Sequence, residues 1–481
     1  MSLEALKAIF EGCDDFENHC VYAGGQKSCI VHVCYMDGLI SGIDASDSVL
    51  SALGSPVHFP PHMSHQALLD LLLSGAVGAA TVKLRTALDD IVSDLNLGFV
   101  CVVFDEMSCA VSFECRSNQT RSINEPTLEK TVKGAKDAFV ETLRVNTSLV
   151  RRRLRTPDLK VSQLTLGRKS STSVALLYVQ GVASDKTVSR LRSRLDAIDV
   201  DGFLSTGNLE QYITDNPSSP FPQLLHTERP DKFAMDLLDG RVGIIVDGLP
   251  LGFLLPARLA DFMRVGEDRG WHFVVSAALK LMRWAALALT LLLPAAYVAI
   301  AMYHQEMLPL KMLESTISAK QEVPFSTGVE ILSMLVAFEL LQEAGLRLPN
   351  PVGETVSIIG ALIVGQSAVD AKVISPVAVI IVATAGICGF IQPSQDFGAA
   401  LRIARFALVL LAVALGMLGI MLGLALLVWY LARMDSFGVC YLSPFSEGGA
   451  RSVLNALIQP PLPKNKLRPP EICGEDKRNQ I

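Results

Sequence analysis

Twenty consecutive residues without a charge, 284–303, follow Lys280 and Arg283 in this 481-residue chain. A helix of that length rises about 30 Å, enough to cross the hydrocarbon core of a bilayer, and the flanking bases favour a cytosolic start. The run belongs to a wider pattern. Between residues 284 and 432, 15 of 149 side chains are Asp, Glu, Lys or Arg, which leaves 75 of the chain's 90 for the other 332 residues. The two fractions are about 10% and 23%, against roughly 25% for a soluble domain, so an ordinarily charged part is joined to a membrane-like part. That division excludes a disordered tail, a collagen-like chain and a small soluble enzyme.

The first part reads as α/β material. Residues 28–35, 97–104, 173–179 and 241–246 are short β-branched or aromatic runs followed by turn or acidic residues, the pattern of strands. From Ser184, a plausible N-cap, Val188, Leu191, Leu195 and Ile198 recur at spacings of three and four and form one apolar stripe. The polar stretch 116–125 is the expected subdomain boundary. The expected organisation is therefore two cytosolic α/β subdomains, 1–125 and 126–282, a helical membrane domain, 283–433, and a polar, Pro-rich cytosolic tail, 434–481. The start, MSLEALKAIFEGCDDFE, lacks a basic region followed by an apolar one, so no signal peptide is expected and insertion relies on the later spans. The ten cysteines are scattered without zinc or redox spacing and read as reduced, mostly buried thiols.

In the membrane part, 373–395 and 406–432 are also free of charge, the second long enough to span with tilt or to bend. Two harder segments lie before them. Residues 324–341 contain Glu330 and Glu339, and 355–369 offer about 15 uncharged residues, so each could span, re-enter or line a cavity. The basic tail, with Lys464, Lys466, Arg468, Lys477 and Arg478, belongs in the cytosol and requires an even number of crossings. Four is the plain count; six follows if 406–432 folds back as a hairpin.

Polar residues at membrane depth carry the most information, because a carboxylate there costs several kcal/mol unless it pairs, protonates or meets water. Glu339 and Glu343 share a helix face and Glu330 lies about half a turn away, so one face cannot hide all three. Either they border a water-filled path, or they are interfacial and paired with neighbours such as Arg347 or Lys320. Gln366, Ser367, Asp370 and Lys372 interrupt an apolar stretch shortly before Ser375 and Pro376, which fits a discontinuous helix beside an aqueous path. A surface turn closed by an Asp370–Lys372 pair fits the spacing as well. Glu330, Glu339, Gln366, Ser367 and Asp370 are the pore-lining candidates; Gly416, Gly419 and Gly423 are helix-packing candidates, with Gly419 and Gly423 at small-xxx-small spacing.

Arg151, Arg152, Arg153 and Arg155 have no interleaved aromatics and sit in a part that is not basic overall, so nucleic acid is not an expected partner; a solvated or acid-paired helix end fits better. No GxSxG, HExxH, GxxxxGK[ST] or kinase-like set occurs, so no enzyme, catalytic residue, cofactor or metal is expected.

Specific strings go further than periodicity. EPTLEKTVKGAKDAFVETLRVNTSLVRRRLRTPDLK, FPQLLHTERPDKFAMDLLDGRVGIIVDGLP, ELLQEAGLRLPNPVGETVSIIGALIVGQSAVDAKVISP and SFGVCYLSPF occur in that order. Together they resemble the A-subunit family of GerA-type spore germination receptors, closely over 126–445 and loosely over the first hundred residues. Asp37, Gly38, Leu39 and Ile40 resemble that family's early DGL segment. Cys440, Glu447 and residues 266–273 depart from the family pattern.

The resemblance implies a multi-pass subunit of a nutrient germinant receptor in the inner membrane of an endospore, with its N-terminal part in the cytosol. It implies assembly with a transporter-like B subunit, which binds the germinant, and a lipoprotein C subunit, in contact with membrane lipid. It also implies homo-oligomerisation into a nutrient-gated cation conduit. The SpoVAF branch is similar throughout, and the competing expectation is a SpoVAF-like or non-conducting membrane scaffold that organises the receptor complex.

Overall fold

The computed structural model describes residues 2–23, 29–40, 49–54, 63–75, 81–115, 126, 129, 131, 134–202, 206–347, 365–461, 463 and 466–479. They form two compact units: Met1–Pro217 with Leu224–Pro256 and Asn465–Ile481, and Ser218–Gln223 with Ala257–Lys464.

The first unit holds two five-stranded sheets. One contains β1 (Phe16–Tyr22), β2 (Ile30–Met36), β3 (Val82–Arg85), β4 (Phe99–Phe104) and β5 (Cys109–Glu114) in the order β1-β2-β4-β5-β3. Every residue of β4 is buried because the sheet is covered on both sides. Val100, Val102 and Phe104 pack with Leu68, Leu69 and Leu72 of α2 (His65–Leu73). Phe99, Cys101 and Val103 point the other way, onto Leu3 and Leu6 of α1 (Leu3–Ile9) and Ile91 and Leu95 of α3 (Leu88–Asn96). The second sheet contains β6 (Leu159–Leu166), β7 (Thr172–Val179), β8 (Leu225–Thr227), β9 (Val242–Val246) and β10 (Gly252–Leu255), ordered β6-β7-β9-β10-β8. With it come α4 (Leu143–Arg153), α5 (Asp185–Asp196) and α6 (Pro230–Leu238). Phe233 of α6 lies where a Cβ on Gly252 would stand, 2.6 Å from its ring, so that glycine lets the helix close on the sheet.

The strands expected from the sequence correspond to β2, β4, β7 and β9, and the Ser184 helix to α5, with Leu191 and Leu195 fully buried. One expectation changes. Every strand pair in both sheets is antiparallel, so the α/β description gives way to an α+β arrangement of antiparallel sheets with helices on them. The periodicity showed strands but not their direction, which here follows from short connections such as the four residues between β4 and β5.

The boundary expected at 116–125 lies outside the described residues. The sheets are tied together by Arg151 of α4, whose Nη2 donates to Asp15 Oδ1 at 2.7 Å with both side chains buried, and by Lys160 Nζ, which donates to the Ile9 carbonyl at 2.9 Å. Arg153 pairs with Asp137. The basic cluster is thus an acid-paired helix end. The ten cysteines are thiols, and eight are buried.

The second unit is helical: α7 (Phe273–Tyr303), α8 (Leu310–Lys320), α9 (Thr327–Arg347), α10 (Pro376–Phe390), α11 (Gln395–Leu415), α12 (Met417–Ala432) and α13 (Ala450–Leu457). Its core joins Leu291, Ala295 and Val298 of α7 to Ile331 and Leu335 of α9, Ala378 and Val382 of α10, and Leu408 and Ala412 of α11. Among the described residues two helices, α7 and α11, are long and apolar enough to cross a membrane; α10 and α12 are as apolar but shorter. The outward faces are apolar too, with Ile380 63% and Ile387 64% exposed, which a surface bathed in water rarely shows over such an area.

Packing sets boundaries that composition does not show. The helical unit begins at Ala257, not near 283, because Ala257 N donates to Ser436 Oγ at 3.1 Å, Leu259 N donates to the Tyr441 carbonyl at 2.8 Å and Asp268 receives both Arg283 terminal nitrogens at 2.7 and 2.5 Å. The tail expected as one segment divides as well. Within the first unit, Gly474 N donates to the Val182 carbonyl at 2.7 Å and Arg468 Nε to the Leu238 carbonyl at 2.7 Å. The run 406–432 is not one span: Gly416, with φ +60° and ψ −137°, turns the chain so that α12 folds back along α11. This is the hairpin alternative. Residues 355–364 of the shorter candidate span lie outside the described residues.

Candidate site in the helical unit

Glu330 sits in the first turn of α9 and is 1% exposed. Its Oε2 accepts from the Ser375 backbone N–H at 3.1 Å, and Ser375 Oγ accepts from Ala378 N at 3.3 Å, so the carboxylate anchors the capped start of α10. Its Oε1 is 3.7 Å from Lys320 Nζ, which also donates to Thr327 Oγ1. Gln392, just beyond the other end of α10, donates to the Arg283 carbonyl at 3.5 Å. The 15 residues of α10 span about 23 Å, so Glu330 and the basic start of the apolar run lie at opposite ends of this helix.

Nine residues on, Glu339 faces α11. Its Oε1 accepts from Arg405 Nη2 at 2.6 Å and its Oε2 from Arg402 Nη1 at 3.1 Å; Arg402 also donates to Gln342 Oε1 at 3.2 Å. Arg405 is 2% exposed. Burial makes this pair interdependent, since removing either partner leaves a charge in an apolar interior. Glu343 is exposed, and the Arg347 side chain lies outside the described residues.

Gln366, Ser367 and Asp370 are exposed on the short helical turn before α10. Lys372, at φ +57°, breaks that turn and pairs with Glu322 at 2.8 Å instead of with Asp370. The five polar candidates therefore fall into three places: Glu330 and Glu339 in separate buried ion pairs, and Gln366, Ser367 and Asp370 together at a surface. Of the glycines, Gly416 makes the hairpin turn against Tyr303. A Cβ on Gly419 would land on the Leu411 carbonyl oxygen, and one on Gly423 would lie 2.5 Å from Leu408 Cδ2. Both therefore sit where α12 meets α11.

Sequence reasoning named Lys320 as a partner but missed Arg402 and Arg405. Two arginines three residues apart in an otherwise apolar helix were the available signal, since a buried guanidinium demands a carboxylate. The separation of 66 residues between Glu339 and Arg405 hid which one.

Residues 4–471 match the family described as Bacillus/Clostridium GerA spore germination protein. Among curated relatives, spore germination protein KA of Bacillus subtilis is 34% identical over 95% of this chain and 83% of its own length. Spore germination protein B1 of Bacillus subtilis is 32% identical over 100% and 98%, and spore germination protein GerLA of Bacillus cereus 33% over 94% and 91%. Among solved structures, the N-terminal domain of the A subunit of the Bacillus megaterium spore germinant receptor GerK3 is 30% identical, covers 53% of this chain and 93% of that one, and superposes with a TM-score of 0.42.

Proposed function

Because the chain belongs to the GerA spore germination protein family, we propose that it is the A subunit of a nutrient germinant receptor of the endospore inner membrane. In this reading its helical unit oligomerises into a nutrient-gated cation conduit. The observation that carries the receptor role is the match across nearly the whole chain, with relatives named as spore germination proteins at 32–34% identity over nearly its full length. A transporter-like B subunit and a lipoprotein C subunit are the proposed partners, with lipid around the apolar outer faces and the first unit in the cytosol.

The polar groups in the helical unit support the conduit. Gln366, Ser367 and Asp370 are exposed beside a break in an apolar stretch, an arrangement suited to lining water when several copies meet. A ring of Asp370 carboxylates favours cations over anions. Glu330 and Glu339 enter the path only where their ion pairs open. Those same pairs favour the second reading, a non-conducting or SpoVAF-like scaffold, because they serve helix packing without any pore.

Planar-bilayer recording of the purified full-length chain separates the two. Cation-selective conductance that falls with Asp370→Asn, and falls further when Glu330→Gln and Glu339→Gln are added in a triple variant whose melting transition shows it still folded, is the expected result. Conductance unchanged in the triple variant removes these residues from the path, and silence of the folded wild type supports the scaffold. Co-purification with the permease-like and lipoprotein products of neighbouring reading frames tests the receptor role separately.

A further inference from the structure

Lys320 enters the helical unit from the end of α8, its side chain 26% exposed, and reaches a carboxylate that water does not. Its ammonium donates to Thr327 Oγ1 and stands 3.7 Å from Glu330 Oε1. Among the described residues that oxygen has no hydrogen-bond partner. An unpartnered carboxylate oxygen in so buried a place costs several kcal/mol unless a positive charge stands by it. The charge present belongs to a lysine held by few contacts. Around it α8 buries only Thr316, while Leu310, Met312 and Ile317 are more than half exposed.

An ammonium group takes oxygens at about 2.7–2.9 Å, and carboxylate, hydroxyl and carbonyl oxygens are also what replaces the hydration shell of a large monovalent cation. Thr327 is fully buried, so its hydroxyl is presented to that space and not to solvent. We propose that the Lys320 ammonium is the tethered occupant of a monovalent-cation site formed by Glu330 and Thr327, which a free ion takes when the lysine withdraws. A single carboxylate balances a single charge. Glu322 is already paired with Lys372 at 2.8 Å and adds no net charge, so a divalent ion is left uncompensated there. The site deepens the conduit proposed above and rests on that reading only for its consequence in ion flow. In that role Lys320 blocks the path at rest.

The test uses the full-length chain in lipid nanodiscs and radioactive rubidium as the probe. Lys320→Met is expected to bind rubidium saturably and on the order of tenfold or more tightly than wild type, because a like charge about 4 Å away is gone. Lys320→Met/Glu330→Gln loses that binding, and Lys320→Arg, which keeps a tethered charge, behaves as wild type. Equal binding by wild type and Lys320→Met overturns the site, as does binding that survives in the double variant. If Lys320→Met does not fold in choline chloride, rescue of its melting transition by rubidium chloride, absent in the double variant, supports the proposal; failure of rubidium chloride to rescue it overturns it. Rubidium binding without any cation conductance sinks the conduit and leaves the site standing, and conductance without the expected binding does the reverse.

Discussion

Glu339 and Arg405, 66 residues apart in sequence, meet at 2.6 Å inside the helical unit, with the arginine 2% exposed. Arg402 reaches the other carboxylate oxygen from a position whose side chain is 36% exposed. Glu339→Gln leaves the Arg405 guanidinium buried without its counter-charge and is expected to destabilise the helical unit by about 3–5 kcal/mol. Arg402→Ala costs less, roughly 0–1 kcal/mol, because water screens that contact. Thermal unfolding in detergent compares the two; equal losses show that burial does not set the difference.

Helix packing at the hairpin is open to a paired test. Gly419→Ala drives a methyl group into the Leu411 carbonyl, an overpacking that costs about 1–3 kcal/mol. Gly398→Ala, in α11 with nothing within 4 Å of its Cβ, is expected to be neutral or to stabilise by up to about 1 kcal/mol through helix propensity. Melting temperatures of the two variants therefore move in opposite directions or leave Gly398→Ala unmoved. A Gly419→Ala variant as stable as wild type contradicts the close α11–α12 contact.

Much of this fold was legible because burial leaves periodic traces. β4 shows as a continuous apolar run since both its faces are covered, and α5 shows as a stripe through Leu191 and Leu195 since only one of its faces is. β8 and β10, of three and four residues, are too short to carry a period. The apolar run 406–432 gave two readings because hydropathy is blind to φ, and only Gly416 at φ +60° decides for a hairpin. At the site, the sequence located Glu330 and Glu339 as costly charges at membrane depth, but their roles depend on Lys320, Arg402 and Arg405, and pairing across space leaves no local pattern.

The first unit offers a separate stability test at Asp15 and Arg151, 3% and 1% exposed. Asp15→Ala strands a buried guanidinium and is expected to cost about 3–5 kcal/mol, whereas Asp15→Leu/Arg151→Met removes both charges and costs far less. Chemical denaturation of the full chain, followed by pulsed maleimide labelling of the buried Cys34 and Cys101 of the first unit, reads the difference. A double variant as damaged as the single one means that the pair's geometry, and not the stranded charge, holds the sheets together.

Thiol chemistry gives the pH dependence. Burial pushes Cys34 up from the ordinary 9.0 to about 12, and burial raises Cys101 further, while Cys20 is exposed. The thiolate is the reactive form, so at pH 8 a small maleimide is expected to modify Cys20 first and to leave Cys34 and Cys101 untouched until the chain is denatured. The sign for stability follows from the raised value: a buried thiol stays neutral in the folded chain while its unfolded counterpart ionises. Its contribution is therefore intact below pH 9.0 and is lost as the pH rises from there toward about 12. Mass spectrometry of peptides labelled at pH 8 and pH 10 checks both statements, and labelling of Cys34 at pH 8 in the folded chain at a rate near that of Cys20 contradicts its burial between the strand and helix layers of the first sheet.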